Sequence, residues 1–184
     1  MSRTGLWLVG ARGGVSTTVI AGLAAIQSGS EDRVGLLTET PMFEQCPLPS
    51  LDDLIIGGHE VRQGSLLDSA RSICADSGSL RQEMIAQIAP TLEQVDERIR
   101  PGILFNAGEA ILSLEGIQPD CIVQDPAQAV VRIERDLREF REENDLSGVV
   151  VVNLSSTEAA LPPHPSHGSA DELLHQLAQG TTEA

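Results

Sequence analysis

The chain has 184 residues, of which 41% are hydrophobic, enough to build the core of one domain. Its formal net charge of −15 argues against nucleic acid and anionic membrane surfaces as partners, since both attract basic patches. The sequence contains no apolar run of about 18 residues, the length that predicts a membrane span. The three cysteines, Cys46, Cys74 and Cys121, form no Cys-x-x-Cys pair and are typical of the reduced thiols of a cytoplasmic protein.

An apolar run and a glycine-rich turn open the chain. Residues 6–9 predict a strand that is buried on both faces, and residues 15–27 predict a helix. Between them, Gly10, Gly13 and Gly14 would let a ligand approach the backbone closely. The helix would present free N–H groups and the positive end of its dipole, where a pyrophosphate fits. The turn therefore predicts a nucleotide site, the alternative being glycines that serve packing alone.

Two kinds of nucleotide site could use this turn. The letters GGVSTT resemble the deviant P-loop of partition-type ATPases, but Ser16 follows where a P-loop needs its lysine. All twelve basic residues of the chain are arginines, so no lysine can take that place. A dinucleotide site fits better, although Arg12 stands where Gly-x-Gly-x-x-Gly has its second glycine.

Predicted strands and helices alternate along the rest of the chain, which favours an α/β fold with a mostly parallel sheet. Further strands are predicted at 33–38, 54–56 and 149–154. Further helices are predicted after Ser65 as the N-cap, over 80–99 with a break near Pro90, over 127–144 and over 170–178.

The helix predicted over 127–144 has the clearest pattern. Its apolar positions Val130, Ile133, Leu137 and Phe140 form one stripe. The charged residues of 132–143 are expected to form a solvated face with Glu–Arg pairs at helical spacing.

Polar side chains near predicted strand ends are candidate ligand contacts. Glu39 follows the strand predicted at 33–38, where an acidic residue often binds the adenosine ribose. Ser155, Ser156 and Thr157 follow the strand predicted at 149–154 and could bind a ribose or phosphate, or equally could turn the chain or cap a helix.

Two other pairs of polar residues have simpler explanations. His164 and His167 have metal-ligand spacing, but no further ligand lies near them in sequence, so a proline-rich loop is favoured over a metal site. Asp52 and Asp53 precede a predicted strand and indicate a solvated turn rather than a pair of catalytic carboxylates.

Several separated stretches resemble myo-inositol-1-phosphate synthase, a family that uses NAD to convert glucose 6-phosphate to inositol phosphate. Residues 51–70, LDDLIIGGHEVRQGSLLDSA, are similar to its block of Asn-Asp, apolar residues, Gly-Gly-Trp-Asp-Ile and Asn-Leu-x-x-Ala. Residues 132–159 are similar to its Arg-rich helix, Glu-Glu-Asn turn and strand ending in Trp-Thr-Ala-Asn-Thr-Glu. The opening turn lies where the family has Gly-x-Gly-Gly-Asn-Asn-Gly-Ser-Thr, and SADELLHQL resembles a later helix. The resemblance covers nearly the whole chain and implies a Rossmann-like, doubly wound sheet, incomplete relative to the family's full chain.

The resemblance also implies which residues hold NAD. The opening turn would cradle the pyrophosphate, although Arg12 replaces a glycine of the family and His59 replaces a tryptophan. Glu60 matches an aspartate at the cofactor and is favoured over Glu39 as the ribose ligand. The implied cofactor-binding residues are Gly10, Ala11, Arg12, Gly13, Gly14, Val15, Glu60, Leu154, Ser155, Ser156 and Thr157.

The family's catalytic lysines and its tetramer-forming sheet lie in a later part of its chain. The resemblance therefore implies that residues 1–184 form a single NAD-binding domain without the catalytic centre, inactive by itself. A sugar phosphate would bind only with the missing half, and a homo-oligomer is possible. The alternative is a non-catalytic NAD-binding or interaction module.

Overall fold

The computed structural model describes residues 3–155 and 163–179. Its centre is a sheet of four parallel strands in the order β3-β2-β1-β4, which confirms the predicted α/β fold with a parallel sheet. The strands are β1 (Arg3–Val9), β2 (Leu54–Glu60), β3 (Ile99–Pro101) and β4 (Leu146–Asn153).

Helices pack against both faces of this sheet. The helices of the described residues are α1 (Gly14–Gln27), α2 (Leu66–Ser77), α3 (Gln82–Asp96), α4 (Glu109–Leu112), α5 (Pro126–Glu143) and α6 (Ala170–Ala178). The predicted N-cap of α2 is confirmed, because Ser65 Oγ accepts a hydrogen bond of 3.0 Å from the N–H of Asp68. None of the helices in the described ranges is long and apolar enough to cross a membrane.

The two faces of the sheet bury different side chains. One face packs against α1, α2 and α3 through aliphatic residues such as Leu8, Ile20 and Ile88. The other packs against α5 around Trp7 and Phe140, whose rings lie 4.9 Å apart. The core therefore lies between a central sheet and a helical layer on each side, as a doubly wound fold requires.

The prediction of a strand at 33–38 is wrong. Gly35 has a φ of +90°, Val34 is 87% exposed, and Leu37–Glu39 forms a 3-10 helix. The position beside β1 is taken by residues 54–60, which carry the longer apolar run and contain two closely packed glycines, Gly57 and Gly58. The pattern of a short apolar run does not show whether it joins a sheet, and here the segment that packs more closely against β1 does so.

The break predicted near Pro90 is also wrong, because α3 runs through it without interruption. Proline removes the hydrogen bond to the carbonyl four residues earlier, here that of Ala86. Both residues lie on the exposed side of α3, where water can hydrate that carbonyl. The helix ends at Asp96, and Ile99 belongs to β3.

The helix predicted over 127–144 is confirmed as α5, but its faces differ from the prediction. Phe140 is buried, whereas Val130 and Ile133 are 38% and 36% exposed. Asp136, which the pattern places on the solvated face, is only 2% exposed. On a helix of 3.6 residues per turn, position 136 lies beside 140 at the edge of the predicted stripe, and the buried face is formed by Ala129, Asp136 and Phe140.

Close packing at Gly58 gives a stability prediction. A Cβ there would lie 2.3 Å from the backbone oxygen of Leu8 and 2.7 Å from Ala11 Cβ. We expect Gly58→Ala to lower the free energy of unfolding by about 3 kcal/mol, because backbone must move. Gly22→Ala is the matched control: it meets nothing within 4 Å inside α1 and should raise that free energy by about 0.5–1 kcal/mol. Urea unfolding of both variants measures this, and a Gly58→Ala variant as stable as the parent would contradict it.

Candidate functional site

The glycine-rich turn lies at the carboxyl end of β1 and is fixed by backbone hydrogen bonds. The N–H groups of Gly10 and Ala11 donate to the His59 carbonyl at 2.9 and 3.0 Å. Gly10 has a φ of +81°, which favours glycine, and a Cβ there would lie 3.1 Å from the Leu154 carbonyl oxygen. Ser16 Oγ closes the turn by donating to the Gly10 carbonyl at 2.7 Å. The turn is thus held between the ends of β2 and β4.

Helix α1 begins directly after this turn without a side-chain cap. Gly13 is its N-cap residue and provides no side-chain hydrogen bond to the first turn. A Cβ added at Gly14 would meet nothing within 4 Å, and Val15 is 63% exposed. Within the described ranges, Thr17 Oγ1 is buried and has no hydrogen-bond partner. An uncapped helix start beside open space is a good anion site, so the residues present fit a pyrophosphate.

Glu60, the last residue of β2, accepts a hydrogen bond from the backbone of the turn. It is 4% exposed, and its Oε2 accepts from the backbone N–H of Arg12 at 2.8 Å. Its Oε1 accepts from the N–H groups of Val61 and Arg62 at 2.9 and 3.2 Å. The buried carboxylate is therefore satisfied by three backbone donors of this chain. Its role as a cofactor contact stays a prediction.

Arg12, which replaces a glycine of the dinucleotide motif, makes an anchoring contact. Its guanidinium lies 2.8 Å from Asp96 Oδ1 at the end of α3. Asp96 Oδ2 accepts from the N–H of Leu66 at 2.7 Å, at the start of α2. These bonds join the turn to two helices. No motif marks Asp96 in the sequence, and only the packing of α3 brings it here.

A buried polar chain lies under the same end of β2, on the α5 face. Trp7 Nε1 donates to His59 Nδ1 at 3.1 Å, and His59 Nε2 lies 3.0 Å from Asp136 Oδ2. An indole N–H can only donate, so Nδ1 carries no proton and Nε2–H donates to Asp136. Burial lowers the pKa of His59, outweighing the opposite influence of Asp136. His59 is therefore neutral.

Asp136 is the anionic end of that chain. Its Oδ1 accepts from Arg135 Nη2 at 2.9 Å and from Arg100 Nη1 at 3.3 Å. Burial opposes its charge, but the hydrogen bonds from His59 and Arg135 lower the pKa of Asp136 below its usual value. Arg100 also donates to Glu139. The His59 contact therefore joins α5 to β2, and the Arg100 contacts join α5 to β3. In the sequence, the mark of Asp136 is a carboxylate at the edge of the apolar stripe of α5.

The other predicted contacts are brought together only in part. Leu154 N–H donates to the Val9 carbonyl at 2.9 Å, which places the residues after β4 beside the turn. Ser155 Oγ donates to Asn153 Oδ1 at 2.7 Å. Ser156 and Thr157 lie outside the described residues. Glu39 is bonded to Arg33 in the loop before β2 and follows no strand of the sheet.

The histidine pair caps a short 3-10 helix. His164 Nδ1 lies 2.7 Å from Ser166 Oγ, and His164 N–H donates to His167 Nδ1 at 3.3 Å. Across residues 3–155 and 163–179, no three His, Cys, Asp or Glu side chains are grouped so as to hold a metal ion.

The cysteines are free thiols. Cys121 is buried, and its Sγ lies 3.8 Å from the Glu60 carbonyl oxygen. Burial raises the pKa of the Cys121 thiol, which therefore stays protonated.

A glycine turn between the first strand and helix of a 3-2-1-4 parallel sheet defines a nucleotide-binding domain of the Rossmann class. Comparison with known proteins supports the same class. The model of the NAD-binding family described as myo-inositol-1-phosphate synthase matches residues 4–184. This chain belongs to that family.

Its relatives are distant and longer. Inositol-3-phosphate synthase 1 of Bacteroides thetaiotaomicron is 23% identical over 192 residues, which cover 98% of this chain and 43% of that protein. The crystal structure of inositol-3-phosphate synthase from Caenorhabditis elegans superposes with a TM-score of 0.77 at 20% identity, over 99% of this chain and 40% of that one. A myo-inositol-1-phosphate synthase-related protein from Thermotoga maritima gives a TM-score of 0.58 at 21% identity, over 98% and 41%. The chain thus spans about two fifths of the relatives it matches.

Acid should destabilise the fold in two steps. Because the folded-state pKa of His59 is lowered, the unfolded chain binds more protons below about pH 6.5, and the free energy of unfolding falls as the pH drops from 7 to 5. Because the pKa of Asp136 is lowered too, a second loss follows below about pH 4. Urea unfolding followed by the fluorescence of Trp7, the one tryptophan in the sequence, measures both steps.

His59→Gln should flatten the first step and keep the second, whereas His175→Gln, at an exposed position on α6, should change neither. An unchanged slope between pH 7 and 5 in His59→Gln would mean that another group causes it.

Proposed function

We propose that this chain is the NAD-binding part of an inositol-3-phosphate synthase-like isomerase. The observation that carries the proposal is the uncapped start of α1, with open space at Gly14 and a turn held at the carboxyl ends of β2 and β4. Ligands of open parallel α/β sheets bind outside the carboxyl ends of the strands, so this is where a dinucleotide is expected.

In the proposed complex the pyrophosphate lies over the turn of residues 10–15. The backbone N–H groups at the start of α1 donate to phosphate oxygens, and the helix dipole stabilises their charge. Glu60 keeps the Arg12 backbone in place through its 2.8 Å hydrogen bond. Leu154 and Ser155 border the turn at the end of β4. Ser156 and Thr157, which lie outside the described residues, are proposed as further cofactor contacts on the family resemblance alone.

Bound NAD would accept a hydride from a sugar phosphate and later return it, as the family resemblance implies. That chemistry also needs cations beside a phosphate and a developing enolate. The family supplies lysines there, and this sequence of 184 residues contains none. We therefore propose that these residues form one cofactor-binding domain, and that turnover, sugar-phosphate binding and oligomer formation depend on further residues of the family's longer chain.

The proposal predicts a selective loss of binding in Gly14→Asp. A Cβ at Gly14 meets nothing within 4 Å, and a carboxylate at a helix start is favourable, so the fold should remain. The same carboxylate would lie where the pyrophosphate binds, and we expect NAD affinity to fall about tenfold or more through like-charge repulsion. Thermal unfolding and calorimetric titration with NAD, with ATP as the control ligand, measure both quantities.

The matched control is Thr18→Asp, which adds the same charge one turn along the exposed side of α1. It should keep most of the NAD affinity. The proposal fails if NAD leaves the melting temperature of the parent chain unchanged, or if Gly14→Asp binds NAD as tightly as the parent.

A further inference from the structure

Arg12 puts a long side chain where a dinucleotide site normally has none. The second glycine of the motif lets the pyrophosphate approach the backbone closely, and Arg12 stands in that place. The backbone N–H of Arg12 donates to Glu60 Oε2 at 2.8 Å, so the residue is part of the fixed turn. The side chain of Arg12 must therefore lie elsewhere than over the turn if a pyrophosphate is to reach the backbone.

Asp96, the last residue of α3, holds that side chain. Arg12 Nε and Nη2 both lie 2.8 Å from Asp96 Oδ1, so two contacts fix the guanidinium. The side chains of Arg12 and Asp96 are only 16% and 18% exposed, and water and salt screen such a pair less than a surface pair. Moving Arg12 away would leave a partly buried carboxylate without its cation, which is unfavourable.

The other oxygen of Asp96 fixes the carboxylate itself. Asp96 Oδ2 accepts from the backbone N–H of Leu66 at 2.7 Å. Leu66 is the buried first residue of α2, so its N–H has no carbonyl partner within that helix. A carboxylate is favourable at the start of a helix and unfavourable at the end of one. The start of α2 and the guanidinium of Arg12 thus together compensate for an aspartate at the end of α3.

We propose that Asp96 is a positioning residue of the dinucleotide site. By holding the Arg12 guanidinium at the junction of α2 and α3, it allows a turn without the second glycine to bind the pyrophosphate of NAD. The inference rests on the proposed function, since it concerns the same turn and the same cofactor. Asp96 acts through Arg12 and needs no contact with NAD. A turn that is already held in its binding geometry loses less freedom when the ligand binds, so the anchor raises affinity.

The test is a double-mutant cycle on NAD affinity, measured by calorimetric titration of the whole chain. Asp96→Asn keeps the shape of the side chain but leaves one acceptor oxygen, which cannot serve both Leu66 and Arg12. We expect this substitution to raise the Kd of NAD about fivefold in the parent chain, as the cost of ordering one long side chain allows. In Arg12→Gly, where no side chain needs to be held, it should change the Kd by less than about twofold.

Glu93→Gln is the matched control. It removes the same charge from the exposed side of α3, one turn before Asp96, and should leave the Kd unchanged in both backgrounds. Thermal unfolding of each variant separates positioning from stability. A role of Asp96 in holding only the start of α2 would lower the melting temperature in both backgrounds and leave the Kd of NAD as it is.

Three results would overturn the inference and leave the proposed function standing: unchanged NAD affinity in Asp96→Asn, tighter binding in it, or an equal loss with and without the Arg12 side chain. If Asp96→Asn does not fold, Arg12→Gln takes its place, because it removes the ion pair and keeps the contact between Asp96 and Leu66. It should raise the Kd about fivefold too, and an unchanged Kd would again overturn the inference. A parent chain that does not bind NAD would overturn both proposals.

Discussion

The rest of the site depends on the carboxyl end of β2, where two consecutive residues hold the glycine turn. The His59 carbonyl accepts from the N–H groups of Gly10 and Ala11, and the Glu60 carboxylate accepts from that of Arg12. Successive side chains of a strand point to opposite faces, so His59 reaches the α5 layer while Glu60 stays under the turn. One dipeptide thereby couples the ligand-facing backbone to both layers of the fold.

Among the described residues, the two buried carboxylates and the partly buried Asp96 all have hydrogen-bond donors. Asp136 accepts from Arg135, Arg100 and the neutral His59, Glu60 accepts from three backbone N–H groups, and Asp96 accepts from Arg12 and the Leu66 N–H. A buried carboxylate without such partners would be strongly destabilising, whereas one with hydrogen-bonded partners is tolerated and orients what surrounds it. Arginine suits these positions because its several donors can serve more than one acceptor.

The proposed dinucleotide site is built from a turn, an uncapped helix start and the ends of β2 and β4, all within the described residues. The departures from the family pattern lie in the same small region, since Arg12 and His59 both replace other residues there. Each has partners in this structure, Asp96 for the first and Trp7 with Asp136 for the second. The turn is therefore held by a different set of contacts, while the 3-2-1-4 order of the parallel strands is that of the Rossmann class.

The sequence by itself determined the parts of this protein that depend on neighbouring residues. It predicted β1, the glycine turn, α1, the Ser65 cap and α5, because strand alternation, turn chemistry and helical periodicity are local properties. The tertiary structure alone decided which apolar segment lies beside β1, and residues 54–60 fill that place instead of 33–38. It also decided that Asp136 is buried and that the Glu60 carboxylate binds the turn. Arg100 and His59 lie 36 and 77 positions from Asp136 along the chain, and Arg12 lies 48 positions from Glu60. Contacts between such distant residues exist only once the strands and helices have packed, because burial and long-range hydrogen bonds are properties of the assembled layers.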